Sequence, residues 1–253
     1  MVLFLKPRAL SRAKRAATAR LAPGLRLYAI GDIHGRLDLL IELSEKLRND
    51  LRERPAENPL VVLLGDYIDR GPESAGVIDW ILAAGLPASY VALRGNHEET
   101  LLNFLDDEEV LEDWRRFGGL ETLVSYGIDV KDVMRGKGYA DAQSALRERL
   151  PSEHRRFYEE TKLCWSSGDY FFCHAGVRSH VPLAQQDERD LLWIREEFND
   201  FSGAFEKIIV HGHTPVSAPE VHANRINVDT GAYSTDILTC VVLEGEERRF
   251  IST

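Results

Sequence analysis

The hydrophobic positions along the chain form short apolar runs that alternate with longer amphipathic segments. The runs "LRLYAI", "LVVLL" and "YVAL" are mostly apolar and have the length of buried strands. The segments "LDLLIELSEKLRNDL" and "AGVIDWILAAG", which follow the first two runs, repeat their apolar residues at helical spacing. Strand, loop and helix in this order are typical of βαβ units, so the first hundred residues predict an α/β fold.

The remaining sequence changes from mainly helical to mainly strand-like patterns. Residues 100–162 contain "TLLNFLDDEEVLEDWRRF" and "EHRRFYEETK", and we interpret this range as a helical insertion. The short β-like runs "DYFFC", "KIIV", "NRINV" and "LTCVVLEG" follow it. Because no linker-like stretch divides residues 27–253, we expect one domain, preceded by a basic arm over residues 1–26.

Charge and cysteine content add two expectations. The formal net charge is -10, yet residues 1–26 contain seven Lys and Arg and no acidic residue. This arm is expected to be a flexible solvated tail, with weak contact to an acidic membrane surface, or to nucleic acid, as the alternative. The three cysteines lack metal-type spacing, which favours a reducing, cytoplasmic location, and no apolar run approaches the roughly 20 residues of a membrane span.

Polar side chains follow five of the predicted strands. They are Asp32 and His34 in "GDIHG", Asp66, Asp69 and Arg70 in "GDYIDRG", Asn96 and His97 in "GNHE", His174 in "HAG", and His211 and His213 in "HGHT". In open α/β folds, sites form at the carboxyl ends of strands, where these residues are expected to meet. Carboxylates and imidazoles without thiolates suit Mn, Fe or Zn. The sequence therefore predicts a metal centre.

The predicted ligands suffice for two ions. Asp32, His34 and Asp66 are candidates for the first ion, and Asp66, Asn96, His174 and His213 for the second. A shared carboxylate such as Asp66 can bridge two ions, which together polarise a phosphoryl group and acidify a water. The neutral amide of Asn96 supplies an oxygen without adding charge.

Three further residues are predicted to act directly in catalysis or substrate binding. His97 lies beside the metal ligand Asn96, and we expect it to be a general acid, with Asp69 supporting its protonated form. Arg70 is expected to bind phosphate oxygens, because its planar guanidinium pairs with them bidentately.

The set "GDIHG", "GDYIDRG", "LRGNHE", "HAG" and "GHT" resembles the PPP phosphoprotein phosphatases, within the calcineurin-like metallophosphoesterases. The resemblance covers residues 27–245 and is greatest to the compact bacterial and phage enzymes. It implies an α/β (α+β) fold in which mixed sheets form a sandwich flanked by helices, and a dinuclear centre, for which we expect manganese. It also implies that His213 is the ligand in "HGHT" and that Asn96 and Arg195, in "WIR", bind the substrate phosphate.

Three alternatives remain for the function of the protein. Asp69 and Glu98 favour a phosphatase acting on phosphoserine, phosphothreonine or phosphotyrosine proteins over the diadenosine polyphosphate hydrolases, which have a similar scaffold. A non-enzymatic metal-binding scaffold that recruits partners through the basic arm is the third alternative. We accordingly expect a phosphoprotein or phosphopeptide as partner, no nucleic acid, and no obligate regulatory subunit.

Overall fold

The structure, a computed structural model, describes residues 19–253, so the predictions for residues 1–18 of the basic arm lie outside the described residues. The end of that arm packs against the domain. Ala19 and Leu21 are buried, and the Leu21 N–H donates a hydrogen bond to the Gly245 carbonyl at 3.0 Å. The Arg20 N–H donates to Asp169 Oδ2, also at 3.0 Å.

The first sheet has five strands in the order β10-β9-β1-β2-β3. Its strands are β1 (Leu25–Ile30), β2 (Asn58–Leu63), β3 (Ser89–Ala92), β9 (Thr239–Glu244) and β10 (Glu247–Ser252). The first three are parallel and are connected by α1 (Leu37–Glu53) and α2 (Ser74–Leu82), whereas β9 and β10 run antiparallel to their neighbours. The βαβ units that the apolar pattern predicts are therefore present.

The second sheet also has five strands, in the order β4-β5-β6-β8-β7. Its strands are β4 (Cys164–Ser167), β5 (Tyr170–Cys173), β6 (Ile208–His211), β7 (Glu220–Val221) and β8 (Arg225–Asn227). The strands β5, β6 and β8 are parallel, so β5 and β6 end on the same side of the sheet. Three short helices accompany this half of the chain: α8 (Glu188–Trp193), α9 (Glu196–Asn199) and α10 (Ala232–Thr235).

The insertion between the two sheets is helical, as predicted. It contains α3 (Asn96–Asp106), α4 (Leu111–Trp114), α5 (Gly119–Ser125), α6 (Tyr139–Arg149) and α7 (Ser152–Glu160). The pattern around "GGLETLVSYGIDV" suggests an interruption, yet α5 forms there because it buries Thr122 and Leu123. His154 of α7 is buried and bonds to the Tyr126 hydroxyl at 2.9 Å and to Asp79 at 3.0 Å.

The two sheets pack face to face around a shared apolar core. Leu27, Val62 and Val241 from the first sheet lie in one cluster with Phe172 and Val210 from the second. Helices bury apolar side chains against the outer face of each sheet. This arrangement is the predicted sandwich of mixed sheets flanked by helices. Within residues 19–253, no helix combines the length and apolarity that a bilayer crossing requires.

Candidate active site

The predicted metal ligands converge at one end of the sandwich. Each lies shortly after the end of a strand: Asp32 and His34 after β1, Asp66 after β2, Asn96 after β3, His174 after β5 and His213 after β6. All six side chains are buried. The first sheet therefore supplies four of the candidate ligands and the second sheet supplies two.

Asp66 lies at the centre of this group. Its Oδ2 is 3.5 Å from Nε2 of His34, and its Oδ1 is 3.3 Å from Nε2 of His174. The two carboxylate oxygens thus face different imidazoles, one from each sheet. This is the arrangement that a carboxylate bridging two ions requires.

The side chains around His174 direct acceptor atoms at one another. Its Nδ1–H donates to the Leu64 carbonyl at 2.9 Å, which leaves a lone pair on Nε2. That Nε2 lies 2.9 Å from Asn96 Oδ1 and 3.1 Å from His213 Nδ1. Nitrogen and oxygen donors bound to one cation at about 2.1 Å are themselves separated by roughly 3.0–3.4 Å. The spacing therefore fits a cation, which would remove the repulsion between these lone pairs.

The charges of the buried groups also fit cations. Burial lowers the pKa of His34, His174 and His213, so the imidazoles are neutral, the form that binds metals. Burial and the nearby carboxylate of Asp229 raise the pKa of Asp32. Among the described residues, the buried atoms Asp32 Oδ1 and His213 Nε2 have no hydrogen-bond partner.

The side of the site near His34 differs in detail from the predicted ligand set. His34 donates from Nδ1 to the Ile68 carbonyl at 2.9 Å, and its Nε2 lies with Asp66 and His97 in a group whose ligand atoms are all within 4.8 Å. Asp32 instead accepts the His213 N–H at 3.0 Å. Arg70 donates to His34 Nε2 at 2.9 Å, so the guanidinium must turn away when that nitrogen binds a cation.

His97 and Asp69 form the predicted pair. His97 Nδ1 donates to Asp69 Oδ2 at 2.5 Å, which directs the opposite ring nitrogen toward the metal ligands. Two residues of the helical insertion hold Asp69: Trp114 Nε1 donates to it at 2.7 Å and the Thr122 hydroxyl at 2.5 Å. The sequence indicates Trp114 only as a core residue and gives no signal for Thr122. A buried indole N–H requires a hydrogen-bond acceptor, and this requirement is the one clue in the sequence that Trp114 has a polar partner.

The two candidate phosphate-binding arginines lie on different sides of the ligands. The Arg70 guanidinium carbon lies 4.5 Å from the ring centroid of Tyr233, a residue that the sequence analysis does not single out. Arg195 donates to the His213 carbonyl at 3.1 Å. An anion above the ligands would therefore lie between two guanidinium groups.

Backbone strain is concentrated at the same residues. Five of the site residues have a positive φ: His34 (47°), Asp66 (52°), Asp69 (72°), Arg70 (67°) and His213 (66°). For non-glycine residues this conformation costs of order 1–3 kcal/mol each and persists where the surrounding structure enforces it. Its accumulation here supports a functional site.

Two glycines allow carboxylates to approach the backbone. A Cβ at Gly95 would lie 2.1 Å from Asp66 Oδ1, and one at Gly212 would lie 2.1 Å from Asp32 Oδ1. Any side chain at either position would displace a candidate metal ligand. This accounts for the glycines in "RGNHE" and "HGHT".

Glu98 has a structural role that its place in "GNHE" does not reveal. Its carboxylate accepts three backbone N–H groups, those of Asp66, Tyr67 and Gly95, each at 2.8 Å. The side chain is fully buried. It therefore holds the loop that carries Asp66 against the start of α3, and it does not face the substrate.

We expect Glu98→Ala to lower the free energy of unfolding by about 3 kcal/mol, because it leaves three backbone donors without their acceptor. Urea unfolding followed by circular dichroism measures this loss. Glu121→Ala, on the exposed surface of α5, is the matched control and is expected to change stability by less than about 0.5 kcal/mol. Equal stability of the two variants would contradict the role of Glu98.

Comparison with known proteins gives one family and a consistent set of relatives. The model of the calcineurin-like phosphoesterases matches residues 25–239. A bis(5'-nucleosyl)-tetraphosphatase PrpE (asymmetrical) of Oceanobacillus iheyensis is 27% identical over 253 residues, covering 90% of this chain and 92% of the relative. The enzyme of that name from Halalkalibacterium halodurans is 29% identical over 240 residues, covering 88% and 91%.

Solved structures share the fold across different substrates. One whose assignment as a diadenosine tetraphosphatase is provisional aligns with a TM-score of 0.60 and 18% identity, covering 92% of this chain and 98% of that chain. A protein serine/threonine phosphatase of Saccharomyces cerevisiae aligns with a TM-score of 0.54 and 14% identity, covering 95% and 84%. These matches confirm the predicted metallophosphoesterase fold and its likeness to the PPP phosphatases.

The prediction of a phosphoprotein phosphatase with a phosphoprotein partner is wrong. The curated relatives are named as dinucleoside tetraphosphatases, which supports the alternative that the sequence analysis ranked second. The physical reason lies in the two residues that guided the choice. Glu98 accepts hydrogen bonds from backbone N–H groups. Asp69 bonds to His97, Trp114 and Thr122. Both side chains are buried and support other residues, so neither can contact the substrate and select it.

Proposed function

This chain belongs to the calcineurin-like phosphoesterase family, and on that premise we propose that it hydrolyses dinucleoside tetraphosphates asymmetrically. It is a hydrolase of the metallophosphoesterase type, and the relatives that cover most of its length are named for this substrate and this mode of cleavage. For diadenosine tetraphosphate, asymmetrical cleavage consumes one water and yields AMP and ATP. We expect the physiological ions to be manganese.

The observation that supports hydrolysis most directly is the set of acceptor atoms around Asp66. Carboxylate, amide and imidazole groups meet there at 2.9–3.5 Å. We assign Asp32, His34 and Asp66 to one ion, and Asp66, Asn96, His174 and His213 to the other. When bound, two divalent cations would polarise the phosphoryl group and make an attacking water more acidic.

The remaining residues orient the phosphate and supply a proton. Arg70 and Arg195 bind oxygens of the phosphate under attack, together with the Asn96 amide, and so hold phosphorus in line with the attacking water. As the bond to the leaving phosphate oxygen breaks, that oxygen takes a proton from Nε2 of His97. Asp69 keeps the ring in position through its bond to Nδ1.

Product analysis tests this proposal. We expect the manganese-loaded enzyme to convert diadenosine tetraphosphate to equal amounts of AMP and ATP, resolved by anion-exchange chromatography. A phosphoserine peptide serves as the comparison substrate and is expected to release phosphate more slowly. ADP as the sole product would contradict asymmetrical cleavage, and faster turnover of the peptide would contradict the assignment of the substrate class.

A further inference from the structure

We propose that Trp193 is the surface on which one nucleobase of the substrate stacks and that Arg189, beside it, binds the polyphosphate chain. This inference rests on the proposed function. It identifies a subsite outside the candidate metal centre.

Trp193 is an exposed aromatic residue next to buried metal ligands. It is the last residue of α8, its relative exposure is 44%, and its ring centroid lies 6.3 Å from that of His213 with the rings at 82°. The indole therefore lies beside the site, while much of its surface faces solvent. A tryptophan left this exposed forgoes the stabilisation of burial, which is expected where a ligand covers it.

Two grooves adjoin Trp193 and connect it with the site. One, of about 590 Å³, is lined by Asn103, Arg189 and Trp193, among others. The other, of about 470 Å³, is lined by Arg189, Trp193 and Arg195. Because Arg195 donates to the His213 carbonyl, the second groove begins one side chain away from a candidate metal ligand. Their volumes lie in the range of small-molecule sites.

Two arginines that line the grooves, Arg189 and Arg195, have no ion-pair partner in the described part of the chain. Of the six acidic residues that line the grooves, four are paired with arginines: Glu99 and Glu188 with Arg94, and Asp190 and Glu197 with Arg178. Asp187 and Glu196 are exposed to solvent and form no ion pair with an arginine within the described residues. A tetraphosphate carries several negative charges, so Arg189 supplies complementary charge at the position where the chain leaves the metal ligands.

The positions of Arg189 and Trp193 on α8 explain how one nucleotide would meet both. They are four residues apart, which places them on the same face of the helix. Any nucleobase can stack on an aromatic side chain, and a neighbouring guanidinium can pair with the phosphates. Tyr233 is another exposed aromatic residue close to the site, but the Arg70 guanidinium already covers its ring at 4.5 Å. Trp193 is therefore a better platform than Tyr233.

Steady-state kinetics on the manganese-loaded enzyme tests the subsite. We expect Trp193→Ala to raise KM for diadenosine tetraphosphate about tenfold. For p-nitrophenyl phosphate, which has no base, the loss of kcat/KM should be smaller by a factor of at least about five. Trp193→Phe should recover most of the KM effect, because it keeps an aromatic face. Phe250→Ala, which removes an exposed aromatic residue from β10, is the matched control and should leave both substrates unaffected.

Tryptophan fluorescence provides a readout that is independent of turnover. ATP titrated into the wild type should quench emission, and Trp193→Phe should abolish that quenching. Equal losses on both substrates in Trp193→Ala, or unchanged quenching in Trp193→Phe, would overturn the inference. If the wild type fails to cleave diadenosine tetraphosphate, the proposed function fails, and the ATP titration still decides whether Trp193 binds a base.

Discussion

Asp66→Asn is expected to reduce kcat for diadenosine tetraphosphate by roughly 10³-fold, because it weakens both candidate metal sites at once. Lewis-acid stabilisation by bound ions contributes several kcal/mol, and each 1.36 kcal/mol corresponds to a factor of ten. The amide that replaces the carboxylate has one oxygen instead of two. It can serve the His34 side or the His174 side of the site, but it cannot bridge them.

Metal content distinguishes this effect from misfolding. Mass spectrometry of the dialysed protein should find two manganese ions per wild-type chain and one or fewer in Asp66→Asn. Asparagine tolerates the positive φ of this position, and its oxygen can still accept the backbone N–H of His97, so the metal-free variant should be as stable as the metal-free wild type. Asp141→Asn, at an exposed position of α6, is the control. Full metal content with activity within about tenfold of wild type would refute the bridging role of Asp66.

His97→Ala should lower kcat by about 10²-fold while leaving the metal content unchanged, because general acid–base catalysis typically contributes 10²–10⁴-fold. The size of the loss should depend on the leaving group. A phosphate leaving group has a pKa near 6 and needs little assistance, whereas phenol, with a pKa of about 10, needs more. We therefore expect a greater loss with phenyl phosphate than with p-nitrophenyl phosphate, whose phenol is more acidic.

This dependence on the leaving group separates proton donation from a structural role. His222→Ala replaces an exposed histidine and should show full activity on both aryl phosphates. If His97→Ala lost the same factor with both substrates, His97 would be acting through the position of Arg70, whose guanidinium lies 3.3 Å from Nε2 of His97, and not as an acid.

Much of the fold follows from local patterns in the sequence. The parallel strands of the first sheet are mostly apolar runs, and α1 has a clear amphipathic repeat, so their identities follow from the local pattern. The strand β10 escapes prediction because "ERRFIS" is a polar edge strand with few buried side chains. Its place depends on pairing with β9, which is a tertiary interaction.

The residues of the candidate site also fall into those that the sequence locates and those that it does not. Ligands that directly follow predicted strands can be located from sequence, because strand ends determine where they lie. The supports contributed by Trp114 and Thr122 are distant in sequence from Asp69 and become neighbours only when the insertion folds. The substrate class could not be inferred from Asp69 and Glu98, since their environment, and not their identity, determines that they are buried supports.

The origin of the ligands in two different sheets has a consequence for stability. Asp66 and Asn96 follow strands of one sheet, and His174 and His213 follow strands of the other. An ion bound by all four side chains would therefore link the two sheets. Binding to the native state alone, at a thousandfold excess over Kd, adds about 4 kcal/mol to stability. The concentration of free cation would then determine the stability of the sandwich against unfolding, as well as the activity of the enzyme.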